Sequence, residues 1–115
     1  MLELDESEVR AAAQHLGTLG WARLARPIPP VVTVHHLPPP QWLAARGGWS
    51  DPSTAEAFAR FCDVAARELA PVLGRACTIN EPNMVAFMAY EFGMFPPGHT
   101  DADEARRVDD VFADA

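Results

Sequence analysis

A carboxylate, Glu81, stands at the end of a predicted strand in the sequence TINEP, residues 78–82. Proline has no N–H to donate to a sheet, so strand pairing must stop at Pro82. Pro82 also disfavours the α region for Glu81, which predicts an extended conformation there. The following stretch, residues 85–95, is almost wholly apolar. Glu81 is therefore a candidate general acid, although the same residues also fit a loop carboxylate satisfied by nearby N–H groups.

The histidines and cysteines do not predict a metal site or a nucleophile. His35 and His36 are neighbours on a predicted strand, so their side chains point to opposite faces, and no HExxH spacing is present. Cys62 falls on the apolar stripe of a predicted helix and Cys77 precedes a strand end. Both are expected to be reduced, buried thiols rather than a disulfide or a catalytic group. We therefore expect no metal and no cofactor.

Composition limits the classes of protein that remain. The 115 residues suffice for one domain with a modest core, and 49% hydrophobic against 22% charged residues is an ordinary globular balance. A formal net charge of -7 without a basic stripe argues against a nucleic-acid partner. No apolar run reaches membrane-span length, and the first ten residues lack the order of a signal peptide. These features predict a cytoplasmic protein without a membrane partner.

Alternating helices and strands must position these residues. Apolar residues at helical spacing predict a helix over residues 5–24, and a second that begins after Asp51 or Ser53 with good capping chemistry. Two short strands are predicted at 31–35 and 76–79, the first buried on both faces as in a parallel sheet. The predicted stripe of the second helix is Phe58, Phe61, Cys62, Ala65 and Leu69.

A third helix is predicted to begin near Asp101, with Val108, Val111 and Phe112 on one side. The order helix–strand–helix–strand–helix predicts right-handed βαβ units. Between the first strand and the second helix, Trp42 and Trp49 could stack on a sugar ring or close an edge of the core.

Five landmarks stand in one order along the chain: the histidine pair 35–36, PQWL at 40–43, GGW at 47–49, TINEP at 78–82 and FPPG at 95–98. This series resembles glycoside hydrolase family 1, the β-glucosidases and related β-glycosidases. The resemblance covers residues 30–98 well, covers 99–115 only as the start of a helix, and is poor over 1–29.

The resemblance implies an α/β fold that is a fragment of a (β/α)8 TIM barrel, about two parallel strands with flanking helices. Residues 31–36 look like the third strand and 76–81 like the fourth, with the site at their C-terminal ends. Glu81 then matches the family's general acid/base. Asn80 matches the residue that hydrogen-bonds the hydroxyl next to the reacting carbon, and His36 matches a histidine that binds sugar hydroxyls. The implied substrate is a β-glycoside or oligosaccharide.

Departures from the family leave the activity of this chain open. A complete barrel takes about 250 residues, and no motif of the Thr-Glu-Asn-Gly type, which carries the family's nucleophile, is present. Leu37 replaces an aromatic residue usual beside the sugar. Three alternatives follow: a truncated piece of a β-glucosidase that is inactive alone, half of a split glycosidase completed by a complementary chain, or a small non-catalytic α/β domain with a sugar-binding or structural role.

Overall fold

The computed structural model describes residues 30–71, residues 73–115 and four helical positions nearer the N terminus, Ser7, Arg10, Ala11 and Gln14. The rest of the helix predicted over residues 5–24 lies outside the described residues.

Two strands form a parallel two-stranded sheet, β1 (Val31–His36) and β2 (Arg75–Asn80). Their register is fixed at the start, where the Pro30 carbonyl accepts from the N–H groups of Gly74 and Arg75 at 3.0 and 3.3 Å. Both strands have six residues, so they also end side by side. The predicted strands are confirmed, and each is slightly longer than predicted.

The prediction that the first strand is buried on both faces is wrong. His35 is the one buried residue of β1, while Val31 is 64% exposed. No residue of β2 is buried. A strand is covered on both faces only where other layers pack on each side, and the apolar composition of β1 alone does not supply them.

The two cysteines differ in exposure. Cys77, on β2, is exposed, and Cys62 is half-buried on its helix. Both thiols are free, as predicted, but the prediction that both are buried is wrong. Burial raises the pKa of the Cys62 thiol, which disfavours the reactive thiolate.

Between the strands lie a short helix α1 (Gln41–Ala44), a 3-10 turn (Gly48–Ser50) and the long helix α2 (Ser53–Leu69). The carboxylate of Asp51 accepts from the Ser53 N–H at 2.9 Å, which is the predicted capping chemistry. The predicted apolar stripe of α2 is confirmed: Phe58, Ala65 and Leu69 are buried, and Phe61 and Cys62 are partly buried.

After β2 the chain forms α3 (Pro82–Val85), a π-helical turn (Ala86–Glu91) and α4 (Ala102–Asp114). Asp101 caps α4, because its carboxylate accepts from the Asp103 and Glu104 N–H groups at 2.8 and 3.1 Å. The helix that was predicted to begin near Asp101 is thereby confirmed. Its buried residues are Ala105, Val108, Val111 and Phe112.

The chain divides into two compact units. One comprises Met1–Val34 and Arg60–Thr78, and the other comprises His35–Ala59 and Ile79–Ala115. In the first unit, Val32 and Leu73 pack against Ala65 and Leu69 of α2. The second unit contains every candidate site residue. Its largest fully buried side chains are Trp49, Thr54, Val85, Tyr90 and Val108.

Candidate active site

The three predicted site residues lie at one edge of the sheet. His36 is the last residue of β1, Asn80 is the last of β2, and Glu81 follows directly. Because the strands are parallel and start in register, their carboxyl ends meet at the same edge, the usual position of sites in α/β folds. The side chains of His36 and Glu81 are exposed and that of Asn80 is half-buried. This edge can present one carboxylate, one amide and one imidazole to a ligand.

Glu81 has a left-handed backbone, with φ 45° and ψ 60°, so the predicted extended conformation is wrong. Proline at 82 excludes only the right-handed α region for the residue before it. Pro82 is also the first residue of α3, so the chain must turn from strand to helix at a single residue. A non-glycine residue in this region stores about 1–3 kcal/mol of strain, a feature that clusters at functional sites.

The backbone of Glu81 holds this turn in place. Its carbonyl accepts from the N–H groups of Met84 and Val85 at 2.9 and 3.2 Å. Its side chain makes no capping hydrogen bond to α3. Leu37, directly after β1, is left-handed as well, with φ 64°. Both strands therefore end in a sharp turn at the candidate edge.

His35 is the buried counterpart of the exposed His36. The two side chains differ in burial as the alternation along a strand predicts, and His35 is only 7% exposed. The indole Nε1–H of Trp49 donates to Nε2 of His35 at 3.0 Å. Since an indole N–H can only donate, Nε2 must be unprotonated, and the neutral ring carries its proton on Nδ1. Burial lowers the pKa of the His35 imidazole, which agrees with the neutral form.

Trp49 belongs to the core. Of the two roles considered for the tryptophans, stacking on a sugar or packing in the core, Trp49 therefore has the second. It is fully buried, and its ring centroid lies 4.1 Å from that of Phe112 and 5.6 Å from that of Phe58. Trp42 is 44% exposed. The Trp49 backbone N–H donates to the hydroxyl of Tyr90 at 3.0 Å, so Trp49 bonds both to the end of β1 and to the turn after α3.

Tyr90 and Glu104 complete the support of this edge, and the sequence did not single them out. Tyr90 is fully buried, and burial raises the pKa of its hydroxyl. Glu104 of α4 accepts from the Ser50 hydroxyl and lies 3.0 Å from Nδ1 of His99. Tyr90 is the single tyrosine of the chain and stands inside the apolar run. A single tyrosine inside an apolar run could have identified Tyr90 from the sequence, because a buried phenol requires a hydrogen-bond partner.

Replacing Gly48 by alanine is expected to destabilise the protein by about 2–5 kcal/mol. Gly48 has φ +56°, and an added Cβ would lie 2.6 Å from the Tyr90 hydroxyl. The positive φ costs about 1–2 kcal/mol, and overpacking costs about 1–3 kcal/mol. The midpoint of urea unfolding measures the sum.

A double-mutant cycle separates the two contributions. In a Tyr90→Phe background the hydroxyl is gone, and the nearest ring carbon is 4.0 Å from the added Cβ. The cost of Gly48→Ala should then fall by about 1–3 kcal/mol, leaving the backbone contribution. An equal cost in both backgrounds would exclude the contact as its cause.

Comparison with known proteins identifies the family. The sequence model of glycosyl hydrolase family 1 matches residues 19–112. The human cytosolic beta-glucosidase is 35% identical over 71 residues, which are 62% of this chain and 15% of that protein. The chain belongs to glycosyl hydrolase family 1.

Solved structures agree with this assignment. The AHE enzyme from Alicyclobacillus herbarius superposes with a TM-score of 0.84 at 33% identity, over 96% of this chain and 24% of that one. The beta-glucosidase from Thermotoga maritima gives 0.84 at 25% identity, over 99% and 25%. The chain thus spans about a quarter of these structures. The predicted fold class, two parallel strands and flanking helices of a TIM barrel, is confirmed.

No helix within residues 30–71 and 73–115 is both long enough and apolar enough to cross a bilayer.

Proposed function

We propose that this chain supplies the acid/base half of the active site of a retaining β-glycosidase of the β-glucosidase type. Glu81 protonates the glycosidic oxygen while a second carboxylate attacks the anomeric carbon, and then, as a base, activates the water that releases the sugar. Asn80 binds the hydroxyl beside the reacting carbon, and His36 binds further sugar hydroxyls. The substrate class is a terminal β-linked glycoside or oligosaccharide.

The observation that carries this proposal is the position of Glu81. Its carboxylate is exposed at the carboxyl edge of the sheet, on a left-handed turn directly after Asn80 and beside the end of the strand that carries His36. A general acid must reach a ligand, and strain at a strand end is typical of groups that are held for a ligand rather than for packing.

A complete active site of this kind requires a second carboxylate and further barrel strands. In retaining glycosidases the two carboxyl groups stand about 5–5.5 Å apart, and the motif that carries the second one is not in this sequence. We infer that the remaining strands come from further barrel residues, in the same polypeptide or in a complementary chain. Large exposed apolar side chains support this inference: Val31, Trp42, Met84, Phe87, Phe92 and Met94.

The name of the human relative, a cytosolic beta-glucosidase, supports a cytoplasmic location for this chain as well. The net charge of -7 supports the absence of a nucleic-acid partner.

The 115-residue chain on its own is expected to release no phenol from an aryl β-glucoside above the rate in buffer, because a single carboxylate cannot carry out double displacement. The assay follows absorbance of the free phenolate. Turnover that is abolished by Glu81→Gln but retained in Glu91→Gln would contradict the inactivity and would favour a complete site in this chain.

The positive test restores the rest of a barrel. In a segment-exchanged enzyme, this chain replaces the matching 25% of the Thermotoga maritima beta-glucosidase. We expect the hybrid to hydrolyse the aryl β-glucoside. A folded hybrid without turnover would favour the non-catalytic alternative instead.

A further inference from the structure

A chain of two hydrogen bonds runs behind the candidate edge. His35 accepts from the Trp49 indole, and the Trp49 backbone N–H donates to Tyr90, each at 3.0 Å. His35 directly precedes His36, and Tyr90 lies on the turn that continues from Glu81 through α3. The first bond therefore ties down the end of β1, and the second ties down the segment that follows Glu81.

This arrangement tolerates one protonation state of His35. Its Nε2 must accept from Trp49, and its Nδ1 is buried without a hydrogen-bond partner in the described part of the chain. An imidazolium would direct a second N–H at the Trp49 N–H, so that two donors face each other. It would also place a charge among aromatic rings.

Within the described part of the chain, aromatic rings rather than anions pack against His35. The rings packed against it from the 3-10 turn, α2 and α4 are Trp49, Phe58 and Phe112, with centroids 5.2–6.3 Å away. None of the three carries a titratable charge. Burial is the largest influence on the pKa of His35 and lowers it; a hydrogen bond to its own backbone raises the pKa less, and a charge on the neighbouring His36 would lower it further.

We propose that His35 is a positioning residue of the sugar-binding edge and a pH-sensitive latch: the neutral ring holds the end of β1 against Trp49, and protonation releases it. The consequence for sugar binding rests on the proposed function, because it acts through the neighbouring His36. The latch itself does not depend on catalysis.

The direction of the pH effect follows from linkage. Burial lowers the pKa of His35 in the folded chain below the ordinary value of 6.5. At a pH between the lowered pKa of the folded chain and the ordinary pKa of the unfolded chain, the unfolded chain binds more protons than the folded one. The free energy of unfolding therefore rises with pH in that range. The contribution of His35 is fully present above pH 6.5 and is lost as the pH falls through the lowered pKa.

The test is an NMR titration of the full chain without substrate. The Trp49 indole N–H signal is identified by elimination with Trp42→Phe and Trp21→Phe. On acidification below pH 6.5 we expect this signal to shift and its exchange protection to fall about fivefold, the factor for one lost hydrogen bond. The ¹⁵N shifts of His35 at neutral pH should show Nδ1 protonated and Nε2 free, and the opposite tautomer would overturn the proposal.

Two kinds of variant assign the titration to His35. In His35→Gln the amide oxygen can still accept from Trp49, so protection at neutral pH should be retained while the acid-induced shift disappears. His36→Gln and His99→Gln should both keep the shift. A shift that persists in His35→Gln, or that either control abolishes, would overturn the proposal. Failure of the proposed function would leave these signals unchanged.

Discussion

Replacing Glu81 by alanine in the segment-exchanged enzyme is expected to lower kcat/KM about 10²–10⁴-fold on a glucoside whose leaving group is a poor one, such as an alkyl alcohol. Such a leaving group needs a proton as the glycosidic bond breaks. An activated aryl glucoside, whose phenolate departs without a proton, should lose much less in the first step. The ratio of the two losses, measured from initial rates, is the signature of a general acid.

Loss of the base in the second step gives an independent signature. On the activated substrate, Glu81→Ala should accumulate the glycosyl-enzyme, because water is no longer deprotonated for attack. Added azide is an anionic nucleophile that needs no base, so it should restore kcat and yield a glycosyl azide of retained configuration. Glu91→Ala, on the same segment, should show neither the loss nor the rescue. Equal losses on both substrates, without azide rescue, would reject the acid/base role of Glu81.

The position of Glu81 could be predicted from the sequence, but its backbone conformation could not. Pro82 lacks an N–H, which fixes where the strand must end, and both strands lie where β-branched and apolar runs predicted them. Proline restricts the preceding residue only by excluding the right-handed α region. The choice between extended and left-handed backbone depends on where the next element begins, and α3 begins at once.

The support behind the site could not be predicted because it is long-range. His35 and Trp49 are 14 residues apart, and Trp49 and Tyr90 are 41 apart. Periodicity describes neighbours along a helix or strand and contains no information on such pairs. The exposure of Cys77 escaped prediction for a related reason, since burial of a strand depends on whether other layers cover it. An apolar run indicates which residues can be buried, and the packing of other elements decides which ones are.

Replacing Trp49 by alanine is expected to cost about 3–5 kcal/mol of unfolding free energy, the usual loss for a buried large aromatic. The side chain is fully buried and contacts Phe58, Phe112 and His35. Domains of this size are stable by about 5–15 kcal/mol, so the variant should approach or cross the threshold of folding. Urea unfolding followed by far-UV circular dichroism measures the loss without depending on tryptophan emission.

Two further variants divide this loss by cause. Trp49→Phe keeps most of the apolar volume but removes the Nε1–H that bonds His35, so its cost should be clearly smaller than that of the alanine variant, and it should weaken the acid sensitivity of the fold. Trp42→Ala, at an exposed position, should change stability by no more than about 0.5 kcal/mol. If Trp42→Ala cost as much as Trp49→Ala, Trp49 would not be the centre of the core that holds the two strand ends. Because the cost of Trp49→Phe has to come mainly from one hydrogen bond, it should be about 1–3 kcal/mol.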